Sequence, residues 1–83
     1  MKINVTQDHI RFGGLCSCHF CPIALAIKDA LPDSIVTVQI YCTFINGVRI
    51  DFSQNTEVTN FISDFDNSIQ VEPFSFDLDH ENP

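Results

Sequence analysis

The chain has 83 residues, 45% of them hydrophobic and 18% charged, which fits one small folded domain and is not the composition of a disordered segment. No apolar run approaches the ~20 residues that a bilayer span needs, and Met1–Thr6 contains no apolar stretch of a cleaved signal, so a cytoplasmic location and no membrane partner are expected. The net charge of −7 is uneven: residues 1–50 carry Lys2, Arg11, Lys28 and Arg49 against Asp8, Asp29 and Asp33, for +1, and residues 51–83 carry eight acids and no base, for −8. That half repels phosphate backbones, which argues against nucleic acid as a partner and suits a basic protein instead.

In chain order, Ile3 and Val5 alternate with Lys2, Asn4 and Thr6, which predicts a short strand over 2–6. Thr6 can cap one helical turn, and Gly13-Gly14 breaks it. Residues 20–31 predict a helix: Ile23, Ile27, Ala30 and Leu31 share a stripe, Pro22 suits the first turn and Pro32 stops it. Val36, Val38, Ile40, Cys42 and Phe44 alternate with polar residues as one long strand, and Val48, Ile50 and Phe52 form its partner across Asn46-Gly47.

A two-residue Asn-Gly loop would pair Ile45 with Val48 and split the apolar set of the long strand across both faces. A three-residue loop, Ile45-Asn46-Gly47, pairs Phe44 with Val48, Cys42 with Ile50 and Ile40 with Phe52 and keeps the set together, so this register is expected, with Gly47 in a left-handed bulge. Asn55 or Thr56 caps a second helix whose Val58, Phe61, Ile62 and Phe65 fall at i, i+3, i+4 and i+7. Residues 70–78 read as a final strand with Phe74, Phe76 and Leu78 alternating, Pro73 near its start, and the tail from Asp79 as polar and frayed.

The order strand, helix, strand, strand, helix, strand predicts an α+β, ferredoxin-like β-α-β-β-α-β domain spanning 1–83. It would be a four-stranded antiparallel sheet with both helices on one face and Gln39, Tyr41, Thr43, Arg49 and Asp51 on the other.

Cys16, Cys18 and Cys21 are clustered, and Cys18-x-x-Cys21 has the spacing of half a zinc site, with Cys42 or a distant His as a fourth ligand. The second CxxC of a zinc site is missing. The same pair ahead of a helix permits thiol–disulfide exchange, although Pro22 and the strand pattern do not match a thioredoxin-type oxidoreductase. The plain alternative is buried, reduced thiols, and no structural disulfides are expected. Arg11, Gly13-Gly14 and His19 precede a helix N-terminus and could hold an anion, or form a simple turn into a capped helix. Tyr41 and Arg49 on the open sheet face could meet a ligand or a second copy. His9, His19 and His80 are scattered, Ser17 lacks a nucleophile-elbow pattern, and Asp64 and Asp66 read as a solvated face; no enzyme signature emerges.

The segments Cys21-Pro22-Ile23-Ala24-Leu25-Ala26, Ala30-Leu31-Pro32-Asp33, Phe61-Ile62-x-x-Phe65-Asp66 and Val71-x-Pro73-Phe74-x-Phe76 resemble a family of small phage, prophage and bacterial proteins without an assigned activity. The resemblance implies a non-enzymatic accessory protein in a host cell, a homo-oligomer that antagonises host defence by sequestering a signalling nucleotide or by binding a host protein. Arg11, His19, Tyr41 and Arg49, the basic and aromatic polar groups outside the acidic half, are the expected ligand-binding residues. The alternative is an acidic or zinc-stabilised protein-interaction module with Cys16, Cys18 and Cys21 on the metal. No cofactor other than zinc is implied.

Overall fold

Alternation of Ile3 and Val5 with polar neighbours produces β1 (Lys2–Val5), with both apolar side chains buried. The computed structural model describes residues 1–78; the expected tail and His80 lie outside them. Thr6 ends the strand and caps α1 (Gln7–Phe12), so the expected single turn extends to six residues. The cap is reciprocal: the Thr6 hydroxyl accepts from the His9 N–H, and His9 Nδ1 accepts from the Thr6 N–H.

Helix α2 (Pro22–Ala30) starts with Pro at its first position, where no N–H is needed, and ends where the Leu31 N–H bonds the Ile27 carbonyl, just before Pro32. Its buried face, Ile23, Ala24 and Ile27, packs on β1, on α1 and on β2 (Val36–Val38). The chain continues through β3 (Cys42–Ile45), β4 (Val48–Asp51), α3 (Thr56–Asp66, capped by Asn55) and β5 (Phe74–Asp77). Val58, Phe61 and Ile62 of α3 enter the core shared by Ile3, Ile23, Ile27, Val36, Ile45 and Phe76. An aromatic chain ties α3 to β5, with Phe61 and Phe74 ring centroids 4.9 Å apart and Phe74 and Phe76 5.8 Å apart.

The architecture is α+β, with three helices among the described residues and two antiparallel sheets: β1–β5, and β2–β3–β4. It differs from the expected single four-stranded sheet carrying two helices. The first-with-last pairing and the central hairpin are present, but no ladder joins β1 to β4 among the described residues.

The expected long strand over 36–44 folds back on itself. Gln39 N–H bonds the Cys42 carbonyl at 2.8 Å, so Ile40 and Tyr41 form a two-residue turn and Val36 pairs with Ile45, Val38 with Thr43. The next turn is also two residues long: Ile45 pairs with Val48 and Thr43 with Ile50, with Asn46 at φ 52° and Gly47 at φ 83°, as a type I′ hairpin requires. The preferred three-residue register is therefore corrected. Each two-residue turn exchanges even for odd positions, so Val36, Val38, Thr43, Ile45 and Ile50 share the inner face. The price of that solution is a fully buried Thr43, expected on the open face; its hydroxyl donates to the Thr37 carbonyl at 2.9 Å.

Candidate functional site

Among the described residues, the acids of the C-terminal half line clefts beside α3. One open cleft of about 480 Å³ is lined by Asp51, Phe52, Asn55, Glu57 and Asp77. A second, of about 380 Å³, is lined by Glu57, Phe61, Asp64, Glu72 and Phe74. Glu57, in the first turn of α3, belongs to both, so the clefts adjoin and together present five carboxylates. Neither is lined by a Lys or Arg. Two cations flank the first cleft: Lys2 stands opposite Asp77 in the β1–β5 ladder, and Arg49 donates to Asp51 at 3.3 Å. Hydrogen bonds from Ser53, foremost, and the neighbouring Arg49 hold the Asp51 carboxyl below the usual Asp range, so it remains charged. The second cleft combines charge with an apolar floor of Phe61, Val71, Pro73 and Phe74.

On the other side of α3, Cys16, Cys18 and Cys21 line one cleft of about 220 Å³ with Gln39 and Asp66. The 13–21 loop reaches this position through bonds to two elements: Val38 N–H to the Cys18 carbonyl at 2.7 Å, and Cys16 N–H to Asp66 Oδ1 at 2.9 Å. Asp66, expected to be a solvated residue, is thus an anchor for the loop. Cys21 is buried and caps α2, its Sγ accepting from the Ala24 N–H at 3.4 Å. Burial, foremost, pushes its thiol above the ordinary value against the hydrogen bonds from Ala24 and Ile23, and the nearby Asp66 and Cys18 add to the rise. Cys42 is buried with its thiol directed at Gln39. Among the described residues, no three His, Cys, Asp or Glu side chains converge as ligands for a metal ion.

A third cluster escaped the sequence reading. His9 is buried in the α1–α2 contact; Nδ1 accepts from the Thr6 N–H at 2.9 Å and Nε2 meets Asp29 Oδ2 on α2. This bonding assigns the proton of the neutral ring to Nε2. Hydroxyl, imidazole and carboxylate stand in a row, but the Thr6 oxygen is spent on the His9 N–H and no cleft described above opens on it. The row joins two helices. His9 falls at the helix position where a capping box closes, which is readable from Thr6-x-x-His9; Asp29, twenty residues on, carries no sequence signal.

The four expected ligand-binding residues are exposed and dispersed: Arg11 in α1, His19 in the 13–21 loop, Tyr41 in the β2–β3 turn and Arg49 in β4. None lines the clefts just described. Arg49 shares the outer face of its sheet with Thr37 and Phe44 and is bonded to Asp51; His19 lies edge-on to Phe20. Of the two readings of Gly13-Gly14, an anion-holding loop or a simple turn into a capped helix, the bonding favours the turn: Gly13 N–H bonds the His9 carbonyl at 2.9 Å and Gly14 N–H the Phe20 carbonyl at 2.7 Å. No helix of the described residues is long and apolar enough to cross a membrane. No family model, curated protein or solved structure matches the chain.

Proposed function

We propose that the protein is a non-enzymatic binding module whose acidic double cleft receives a Lys/Arg-rich segment of a partner protein. The observation that carries this reading is the shared Glu57: two open clefts with five carboxylates, no lining cation, and an aromatic floor beneath one of them. A basic side chain could lay its aliphatic stem on Phe61 and Phe74 while its head meets Glu57, Asp64 or Glu72. The resemblance to phage and bacterial accessory proteins fits a partner in a host cell, with the acidic surface occupying a basic site there.

The nucleotide-sequestering alternative, through Arg11, His19, Tyr41 and Arg49 at an oligomer interface, has less support. Those groups are dispersed and Arg49 is already engaged by Asp51. A zinc-stabilised form of the module draws on Cys16, Cys18 and Cys21, which share a cleft without converging on one point. We read the two-piece sheet as a ferredoxin-like arrangement opened between β1 and β4.

The test is calorimetric titration of the protein with an Arg/Lys-rich peptide at two salt concentrations. Binding is expected to weaken steeply as salt rises, because the attraction is between exposed charges. The double variant Glu57→Lys/Asp64→Lys should bind at least about tenfold more weakly, ~1.4 kcal/mol. Unchanged affinity in that variant, or tight binding of a cyclic dinucleotide that Arg11→Ala and Arg49→Ala abolish, overturns the reading in favour of the alternative.

A further inference from the structure

The Cys21 N–H bonds the Ser17 carbonyl at 3.1 Å, and the Phe20 N–H bonds Ser17 Oγ at 3.1 Å. These bonds close one α-turn over residues 17–21, so Cys18 and Cys21 are separated by one helical turn on the same side. Helix geometry sets Cα atoms so related about 5 Å apart, inside the range of about 4.4–6.8 Å that a disulfide spans; their Cβ atoms, about 5–6 Å apart in that geometry, close to about 4 Å when the bond forms. The other two thiols are directed elsewhere: Cys16, at φ 52°, has its N–H on Asp66 Oδ1 and its Sγ towards the Asp66 carbonyl at 3.9 Å, and Cys42 faces Gln39. Cys18 is exposed, Cys21 is buried, and the cleft of about 220 Å³ between the loop, β2 and α3 opens on both.

We infer that Cys18 and Cys21 are a reversible oxidation site, a dithiol that a small neutral disulfide converts to an intramolecular disulfide within the preformed 17–21 turn. The Cys18 thiolate attacks one sulfur of the reagent R–S–S–R and displaces R–S⁻, leaving a mixed disulfide. Cys21 then gives its proton to solvent, and its thiolate attacks the Cys18 sulfur and displaces the second R–S⁻. One S–S bond breaks in the reagent and one forms in the protein; two protein thiols are oxidised and the reagent is reduced to two thiols. The order follows from access: Cys18 meets solvent, whereas Cys21 is held protonated by burial and acts as the resolving thiol. The Asp66 carboxylate in the same cleft disfavours an anionic oxidant, so a neutral one is favoured over glutathione disulfide. The site is an oxidation-responsive pair and not an oxidoreductase centre. Its formation converts the Cys21 sulfur that caps α2 into a poorer acceptor for the Ala24 N–H.

The experiment equilibrates the whole chain in hydroxyethyl disulfide and mercaptoethanol buffers, with and without urea, and reads trapped species by intact mass. The Cys16→Ser/Cys42→Ser protein should lose the mass of two hydrogens, and its intramolecular disulfide should form with an equilibrium constant at least about tenfold larger when folded than in urea. Cys18→Ser, at an exposed position, should abolish the disulfide. An equal or smaller constant in the folded protein, a disulfide that uses Cys16 in the unsubstituted chain, or a folded dithiol that stops at the mixed disulfide overturns the inference.

Discussion

His9 shows how much one side chain can settle. From a buried position it completes the cap of α1 at Thr6 and reaches α2 at Asp29. His9→Ala removes an acceptor for the Thr6 N–H and leaves a gap between the helices, with an expected loss of about 1–3 kcal/mol in urea unfolding. Asp29→Ala should cost far less, because that carboxylate is 74% exposed and its pairing is screened by water. Cys21 gives a pH signature at the same scale. Its folded pKa is raised, so the unfolded chain ionises first; the contribution is complete below the ordinary thiol value of about 8.5 and falls as pH rises through the folded value. Cys21→Ser should flatten the alkaline decline in urea midpoints. The Thr6 cap and the Pro22 start were legible because each is a local rule. The Asp29 and Asp66 contacts were not, because each joins residues far apart in sequence through surface chemistry that has no periodicity.

The helices were legible at the scale of elements, and so was β1, each marked by one period and by punctuation residues; the final strand, expected over 70–78, forms only over Phe74–Asp77, after Pro73. The middle strand was not legible. Alternation from Val36 to Phe44 reads as one strand, yet a two-residue turn at Ile40-Tyr41, which contains neither Gly nor Pro, resets the parity. Asn46-Gly47 indicates a type I′ turn against the apolar pattern; with the chain folded back at Ile40-Tyr41, the two-residue turn sets Ile50 on the face of Val36, Val38 and Ile45, while Cys42 and Phe44 fall on the other. Gly47→Ala tests the left-handed backbone of this turn: at φ 83° an added Cβ meets open space but a disfavoured backbone, with an expected cost of about 1–2 kcal/mol. Unchanged stability would contradict the left-handed conformation of Gly47. Gly13→Ala tests the α1–α2 join. Its Cβ would lie 2.6 Å from Pro22 Cδ and 2.8 Å from the His9 carbonyl oxygen, an overlap expected to cost about 1–3 kcal/mol in thermal or urea unfolding.

At the scale of the molecule, the acidic excess of residues 51–83 has a counterpart in the fold of the described residues. Acids cluster where α3, β5 and the end of β4 meet; the first half contributes the α1–α2 pair and the cysteines of the thiol cleft, which Asp66 of α3 completes. Composition made the asymmetry visible; only the fold shows that Glu57 is common to two clefts, because that depends on how β5 returns to β1 beside α3. The core is small, so single truncations weigh heavily: Ile27→Ala, at a fully buried position, should cost about 2–5 kcal/mol, a large share of the ~5–15 kcal/mol typical of a domain. Asp51, whose carboxyl the Ser53 hydrogen bonds and Arg49 hold below the usual Asp range, should keep its charge as pH falls through that range, which a pH titration of its side-chain carbon by NMR would read. The most direct measurement is a residue-resolved NMR titration of the labelled protein with the Arg/Lys-rich peptide. The account predicts amide shifts concentrated at Asp51, Glu57, Asp64, Glu72 and Asp77, absent from the Glu57→Lys/Asp64→Lys protein. Shifts centred on Arg11, Tyr41 and Arg49, or scattered without focus over the whole surface, would contradict it.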